Sequence, residues 1–156
     1  MPFGTTLREL LNLADPRPLR AVLLGGAAGM FALPSEFDVP LTFEGTRDAG
    51  LTLGSGAVIA LDEQADLSAF LRRIAGFFRS ESCGQCVPCR LGTVRQEQLL
   101  ERVLDGDKAR AEAPRDVLRD VLRDVAGVMR DASICGLGQT AGTAIQSAIE
   151  KLGVGQ

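Results

Sequence analysis

A chain of 156 residues, 46% hydrophobic and 24% charged, has room for one good core or two small ones. A net charge of −3 and only seven aromatic residues, all phenylalanine, leave neither a basic footprint nor a set of stacking platforms for nucleic acid. Histidine is absent, which removes His-paired nucleophiles, the commonest general base and every His-containing metal site, so any metal here is held by sulfur, with oxygen a remote second choice.

Thr6-Leu7-Arg8-Glu9 fits a capping box, and Leu7, Leu10, Leu11 and Ala14 then share a face. This predicts a helix over Leu7 to Leu13, ended by Asp15-Pro16. Leu19 to Leu24 reads as a buried strand and Met30 to Leu33 as a second one. The GGAAG between them lacks the G-x-G-x-x-G spacing of a dinucleotide loop, and Pro34 and Pro40 follow where the helix would run. A turn needing positive φ is the expected use of these glycines. Phe37 to Pro40, Leu41 to Phe43 and Leu51 to Leu53 are short apolar pieces, and Ala57 to Leu61 is the clearest strand. One helix with several short strands makes residues 1–62 a small α+β domain. Ala21 to Ser35 is the longest uncharged run, but it is shorter than the ~20 residues of a membrane span and is broken by glycines and Pro34. Arg8 and Glu9 stand where an export signal would be apolar. The expectation is a cytoplasmic chain without membrane insertion, in a reducing compartment where metal-binding cysteines outnumber disulfides.

From residue 63 the pattern turns helical. Asp66 can cap a helix carrying Leu67, Phe70, Leu71, Ile74, Phe77 and Phe78 on one side. A second helix starts in or just after SCGQCVPCR, with Leu91, Val94, Leu99 and Val103 as its apolar face and Asp105-Gly106-Asp107 as its end. Pro114 suits the first turn of a third. There RDVLRDVLRDV lays down a stripe of Val117, Leu118, Val121, Leu122 and Val125, extended by Val128 and Met129, with Asp116–Arg119 and Asp120–Arg123 paired on the solvent side. Ser133 to Gly138 is expected as a loop, and Thr140 to Leu152 as a last helix burying Ala144, Ile145, Ala148 and Ile149. Residues 63–156 are thus expected to form an all-α bundle of four helices.

Cys83, Cys86 and Cys89 stand at three-residue spacing, and Cys135 follows with 45 residues between it and Cys89. A single zinc usually takes two ligands from each of two knuckles. Three thiolates from one run plus a distant fourth is the arrangement that serves a [4Fe–4S] cubane. Zinc, and buried or redox thiols, remain the alternatives. Gly84 and Gly136 each follow a cysteine, where a missing side chain lets backbone N–H groups approach sulfur and raise a potential. Arg79, Glu81 and Arg90 flank the run and either tune its charge or belong to the surface. No paired carboxylates stand out as acid and base, so no catalytic residues are assigned.

ESCGQCVPCRLG at 81–92, followed by SICGLG at 133–138, resembles the cluster domain of the NADH-binding, flavin-carrying subunit of respiratory complex I, shared with NAD-linked hydrogenases and NAD-dependent formate dehydrogenases. LRAVLLGG, DVPLTFEG and GSGAVIALDE resemble the ubiquitin-like β-grasp (SLBB) module that precedes that domain. The resemblance implies that Cys83, Cys86, Cys89 and Cys135 ligate one [4Fe–4S] cluster exchanging single electrons with FMN. It also implies that the family's flavin and NADH domain is missing, so FMN and NAD are not expected on this chain. The function it implies is an electron-transfer subunit in a larger oxidoreductase, partnered by a flavin- or cluster-carrying chain. The alternative is a binding, assembly or regulatory module whose cluster does not turn over.

Overall fold

The computed structural model describes residues 2–14, 18–105 and 114–154. It has an α+β fold in two compact units, Met1–Ala65 and Asp66–Gln156.

In the first unit, α1 (Leu7–Ala14) opens on the anticipated box: the Thr6 N–H donates to Glu9 Oε2 at 2.8 Å and the Glu9 N–H to Thr6 Oγ1 at 3.2 Å. Its first free N–H groups, on Leu7 and Arg8, are taken by the carbonyls of Val39 and Phe37. The Asp15-Pro16 stop lies outside the described residues. Strand β1 (Leu19–Leu24) is the middle of a three-stranded antiparallel sheet, between β2 (Met30–Ala32) and β3 (Val58–Asp62). Val22 faces Ala32 on one side and Ala60 on the other. From Ala21 to Leu24 every residue of β1 is buried, as its unbroken apolar run implies. Leu7, Leu11, Val22, Ala32, Phe37, Val39 and Leu51 form one apolar cluster.

The glycines after β1 serve backbone contact. Gly25 has φ 96°, and a Cβ on Gly29 would stand 1.9 Å from the Leu24 carbonyl oxygen. Ser55 Oγ donates to the Gly25 carbonyl, which joins this turn to the 54–56 loop. A helix absent from the sequence reading, α2 (Phe43–Asp48), follows Thr42, whose hydroxyl accepts from the Gly45 N–H at 2.9 Å. With six residues, a glycine and no apolar stripe, α2 carries no periodicity; its N-cap is its only local signal.

The second unit is helical throughout most of its described residues: α3 (Leu67–Glu81), α4 (Val87–Asp105), α5 (Arg115–Ala132), α6 (Gly136–Thr140) and α7 (Thr143–Leu152). Asp66 caps α3 through the Ala69 N–H. Pro114 is the N-cap of α5 rather than part of its first turn. Helix α4 ends at Asp105; Gly106 and Asp107 are outside the described residues.

Faces differ from the expected stripes. Phe77, Leu91, Val94, Val117 and Val128 are exposed, while Thr93 and Gln96 are buried in their stead on α4. Leu118, Leu122, Ala126 and Met129 are the buried residues of α5. Full burial of a Leu, Ile or Met contributes roughly 1.5–3 kcal/mol, so Leu99, Leu100, Leu122, Met129, Ile145 and Ile149 carry much of this core. Helices α4 and α5 close tightly because Gly92 has no side chain: a Cβ there would lie 2.4 Å from Met129 Cγ. Arg79 of α3 pairs with Glu97 of α4 at 2.8 Å, and Arg72 pairs with Asp105.

Candidate metal centre

Ser82 ends α3, and the chain turns through Cys83 and Gly84 into α4. Gly84 has φ 75°, a left-handed corner suited to glycine. Cys86 immediately precedes α4, its carbonyl accepting from the Arg90 N–H at 3.0 Å. Cys89 is in the first turn of α4 and is buried.

Cys135 is brought from the other end of the unit. Helix α5 ends at Ala132 with Ser133 as its C-cap, and Cys135 is the N-cap of α6. The Gln139 amide ties this corner by donating to the Ser133 carbonyl at 3.0 Å, and the Gln139 N–H donates to the Cys135 carbonyl. The 133–138 segment, expected as a loop, thus contains the start of a short helix. With no apolar stripe, that helix leaves no periodicity in the sequence.

The two segments meet. The Ile134 backbone N–H is the chief donor to the Cys86 sulfur, followed by the Cys89 N–H. Together they hold the Cys86 thiol below its ordinary range, with partial burial opposing and the Ser133 hydroxyl and Cys86's own N–H adding less. The Ser133 hydroxyl is buried and meets hydrogen-bond geometry with no atom, sulfur included, so it acts on Cys86 only as a nearby dipole. Ser82 Oγ lies 3.3 Å from Cys89 Sγ. Gly138 closes the approach: a Cβ on it would meet Ser133 Oγ at 2.4 Å and Cys89 Cβ at 2.9 Å. Cys83 and Cys135 are exposed, Cys86 is half-buried and only Cys89 is buried, so the group reaches from the surface of the unit inward. All four are free thiols.

Among the described residues no three Cys, Asp or Glu side chains converge into a group that would hold one metal ion. One ion with Zn–S bonds of ~2.3 Å needs its sulfurs nearly in contact. A cubane takes one sulfur on each iron and accepts a wider spread. The donor set fits such a cluster: it is sulfur alone, backbone N–H groups face the Cys86 sulfur, and the Ser82 hydroxyl lies against the Cys89 sulfur.

Sequence reasoning does not find Ser82, Ser133, Thr93 or Gln96. The two serines stand inside or beside the cysteine motifs, but nothing in the sequence tells a sulfur-facing hydroxyl from an ordinary cap. Of the flanking charges, Arg79 is engaged by Glu97, and Arg90 donates to the Gly84 carbonyl at 3.4 Å. Next to the motif, Val87, Pro88 and Leu91 of α4 and Val121, Val125 and Val128 of α5 line an apolar groove of about 410 Å³. No described helix is long and apolar enough to cross a membrane.

Residues 69–153 match the model of the NADH-ubiquinone oxidoreductase-F iron-sulfur binding region. The chain is 33% identical over 156 residues to a subunit of the NADH-quinone oxidoreductase of Aquifex aeolicus (strain VF5), covering 97% of this chain and 34% of the relative. It is 29% identical over 155 residues to the NADP-reducing hydrogenase subunit HndC of Solidesulfovibrio fructosivorans, covering 96% of this chain and 30% of that one. Among solved structures, the NAD+-reducing [NiFe]-hydrogenase in the H2-reduced state matches with a TM-score of 0.82 at 30% identity, over 99% of this chain and 26% of that one. The chain therefore spans about a third of the length of these curated relatives.

Proposed function

The chain belongs to the NADH-ubiquinone oxidoreductase-F iron-sulfur binding region family, and on that premise we propose that Cys83, Cys86, Cys89 and Cys135 hold one [4Fe–4S] cluster in an electron-transfer subunit of a larger oxidoreductase. The observation that carries this is the meeting of the two cysteine segments, with the Ile134 N–H on the Cys86 sulfur and Gly138 against Cys89. Four protein ligands leave no open iron for substrate, so such a cluster would supply one-electron storage and transfer.

The residues then have separate tasks. The turn at Gly84 and the first turn of α4 present three thiolates, and the α5–α6 corner presents the fourth. The N–H groups of Ile134 and Cys89 favour the charged sulfur and, on a bound cluster, raise its potential. Exposure of Cys83 and Cys135 leaves the site open to a neighbouring redox group. The apolar groove between α4 and α5, lined by Val87 and Pro88 from within the cysteine motif, suits a partner chain carrying a flavin or cluster. In this reading FMN and NAD are not expected on residues 1–156, and the assembly is cytoplasmic. The first unit we read as the β-grasp module and the second as a four-helix bundle with α6 as an added turn, with the division near residue 62.

Anaerobic reconstitution of the chain tests this directly. The expected product is brown, carries iron and sulfide in cubane ratio, and gives a one-electron EPR signal on reduction. Cys89→Ser should abolish it. Colourless protein with stoichiometric zinc would falsify the proposal.

A further inference from the structure

Gln96 occupies a position where a helix would ordinarily place a leucine. It lies two turns beyond Cys89 on the buried side of α4, in line with Thr93, Leu100 and Val103, and is 0% exposed. A buried amide is costly unless it is partnered. Gln96 is half partnered: Nε2 donates to the Ala141 carbonyl at 2.9 Å, and Oε1 is buried without a partner. Gly142 leaves the space for it, since a Cβ there would stand 3.2 Å from Oε1 and 2.5 Å from the Ala126 Cβ.

Ala141 matters because of what precedes it. It is the C-cap of α6, and Cys135 is the N-cap of the same five-residue helix. So short a helix has little stability of its own. Its fourth residue, Gln139, ties it back to the C-cap of α5 by the hydrogen bond to the Ser133 carbonyl. At its end it is tied to α4 by Gln96. On α4 the connection continues toward the motif, where Thr93 Oγ1 donates to the Cys89 carbonyl at 2.9 Å. Gln96 is therefore a side chain that hydrogen-bonds the helix bearing Cys89 to the end of the helix capped by Cys135.

We infer that Gln96 is a positioning residue that sets the placement of Cys135 relative to Cys86 and Cys89, an assignment that rests on the reading of these cysteines as cluster ligands. Its single hydrogen bond to Ala141 fixes where α6 ends, and hence where its N-cap stands. The unpartnered Oε1 is tolerated because the amide is needed for its donor end.

The test replaces Gln96 by methionine, which matches its length and has no N–H, with the exposed Gln98→Met on the same helix as control. In the apo protein, Gln96→Met should speed amide hydrogen exchange at Ile134 and along α6. In reconstituted protein it should change the EPR line shape and midpoint potential and quicken loss of the cluster to a chelator by roughly tenfold or more, as for other outer-shell partners of metal ligands. Gln98→Met should do neither. If Gln96→Met fails to fold, Gln96→Asn keeps an amide in the core but withdraws it from Ala141, and the same readouts apply. Faster exchange with an unaltered EPR signal and chelation rate overturns the inference, because Gln96 then braces α6 without positioning a ligand. Unaltered exchange overturns it too. A wild-type chain that takes up no cluster defeats the parent reading before any variant is made, and the inference falls with it.

Discussion

The first unit packs Leu7, Leu11, Val22, Ala32, Phe37, Val39 and Leu51 together and has Thr46 as its one described buried polar side chain, whose hydroxyl turns back to the Thr42 carbonyl. The helical unit buries Thr93, Gln96, Ser133 and Ser147. Three of these lie along the route from Cys89 to Cys135, through the Cys89 carbonyl, the Ala141 carbonyl and the Ser133 corner. Buried polar groups cost stability unless they are matched. The first unit avoids that cost with glycine turns and backbone pairing; the second accepts it around its cysteines. The contrast separates a unit whose interior is settled by packing from one whose interior carries polar contacts beside the proposed ligands.

Glycine substitutions break the contrast most strongly, in opposite places. Gly29→Ala would drive a Cβ to 1.9 Å from the Leu24 carbonyl oxygen. The expected cost is roughly 3 kcal/mol or more, at the upper end for point mutants, read as an early thermal transition with the cluster's visible absorption retained. Gly138→Ala would press on Ser133 Oγ and Cys89 Cβ. Overpacking of this kind typically costs about 1–3 kcal/mol, and here iron content should fall with it. If Gly138→Ala binds a full cluster with unchanged EPR, α6 has freedom that its contacts do not suggest.

The difference between the units also explains what is legible in the sequence. Strands β1 and β3 and helices α1, α3 and α5 are legible because apolar runs, periodicity and caps such as Thr6 and Asp66 are local signals. The cysteines stand out because Cys83, Cys86 and Cys89 recur at three-residue spacing, and their use as ligands with Cys135 is the proposal made above. Helices α2 and α6 are not legible, since five or six residues with glycine carry no period. Gln96 is not, because a glutamine in a helix is ordinarily solvated, and only the return of Ala141 from 45 residues away gives it a partner. Phe77, Leu91 and Val128 read as core from their apolar spacing, yet two helix faces compete for burial and the sequence does not say which wins.

The losing faces supply a prediction of intermediate effect. Val87, Leu91 and Val128 are each about half exposed, at 54%, 58% and 58%, around the groove beside the cysteines. Leu91→Lys should change stability by less than about 0.5 kcal/mol, as surface substitutions do, and leave the EPR signal alone. If the groove is the proposed docking surface, Leu91→Lys should also abolish co-purification of the redox chain that we propose as partner. Retention of that chain would move the docking surface elsewhere on the molecule.

The smallest effect is expected where the first unit does use charge. Arg8 grips Asp38 through Nε at 2.6 Å and Nη2 at 3.0 Å, donates to the Pro34 carbonyl, and lies over the Phe37 ring. The Arg8 hydrogen bonds hold the Asp38 carboxyl below its ordinary range, and the same pair raises Arg8. A depressed folded-state carboxyl contributes stability that is complete above the unfolded value, near ~3.9, and is lost as pH falls through the folded one. Both side chains are largely in water, so the contribution is minor and screened by salt. Asp38→Asn should therefore lower the thermal midpoint slightly at pH 7, less in high salt, and not at all once the wild-type carboxyl is protonated in strong acid. A difference that persists in acid would mean that Asp38 acts through shape rather than charge. The first unit would then hold a polar contact of the kind that otherwise distinguishes the second.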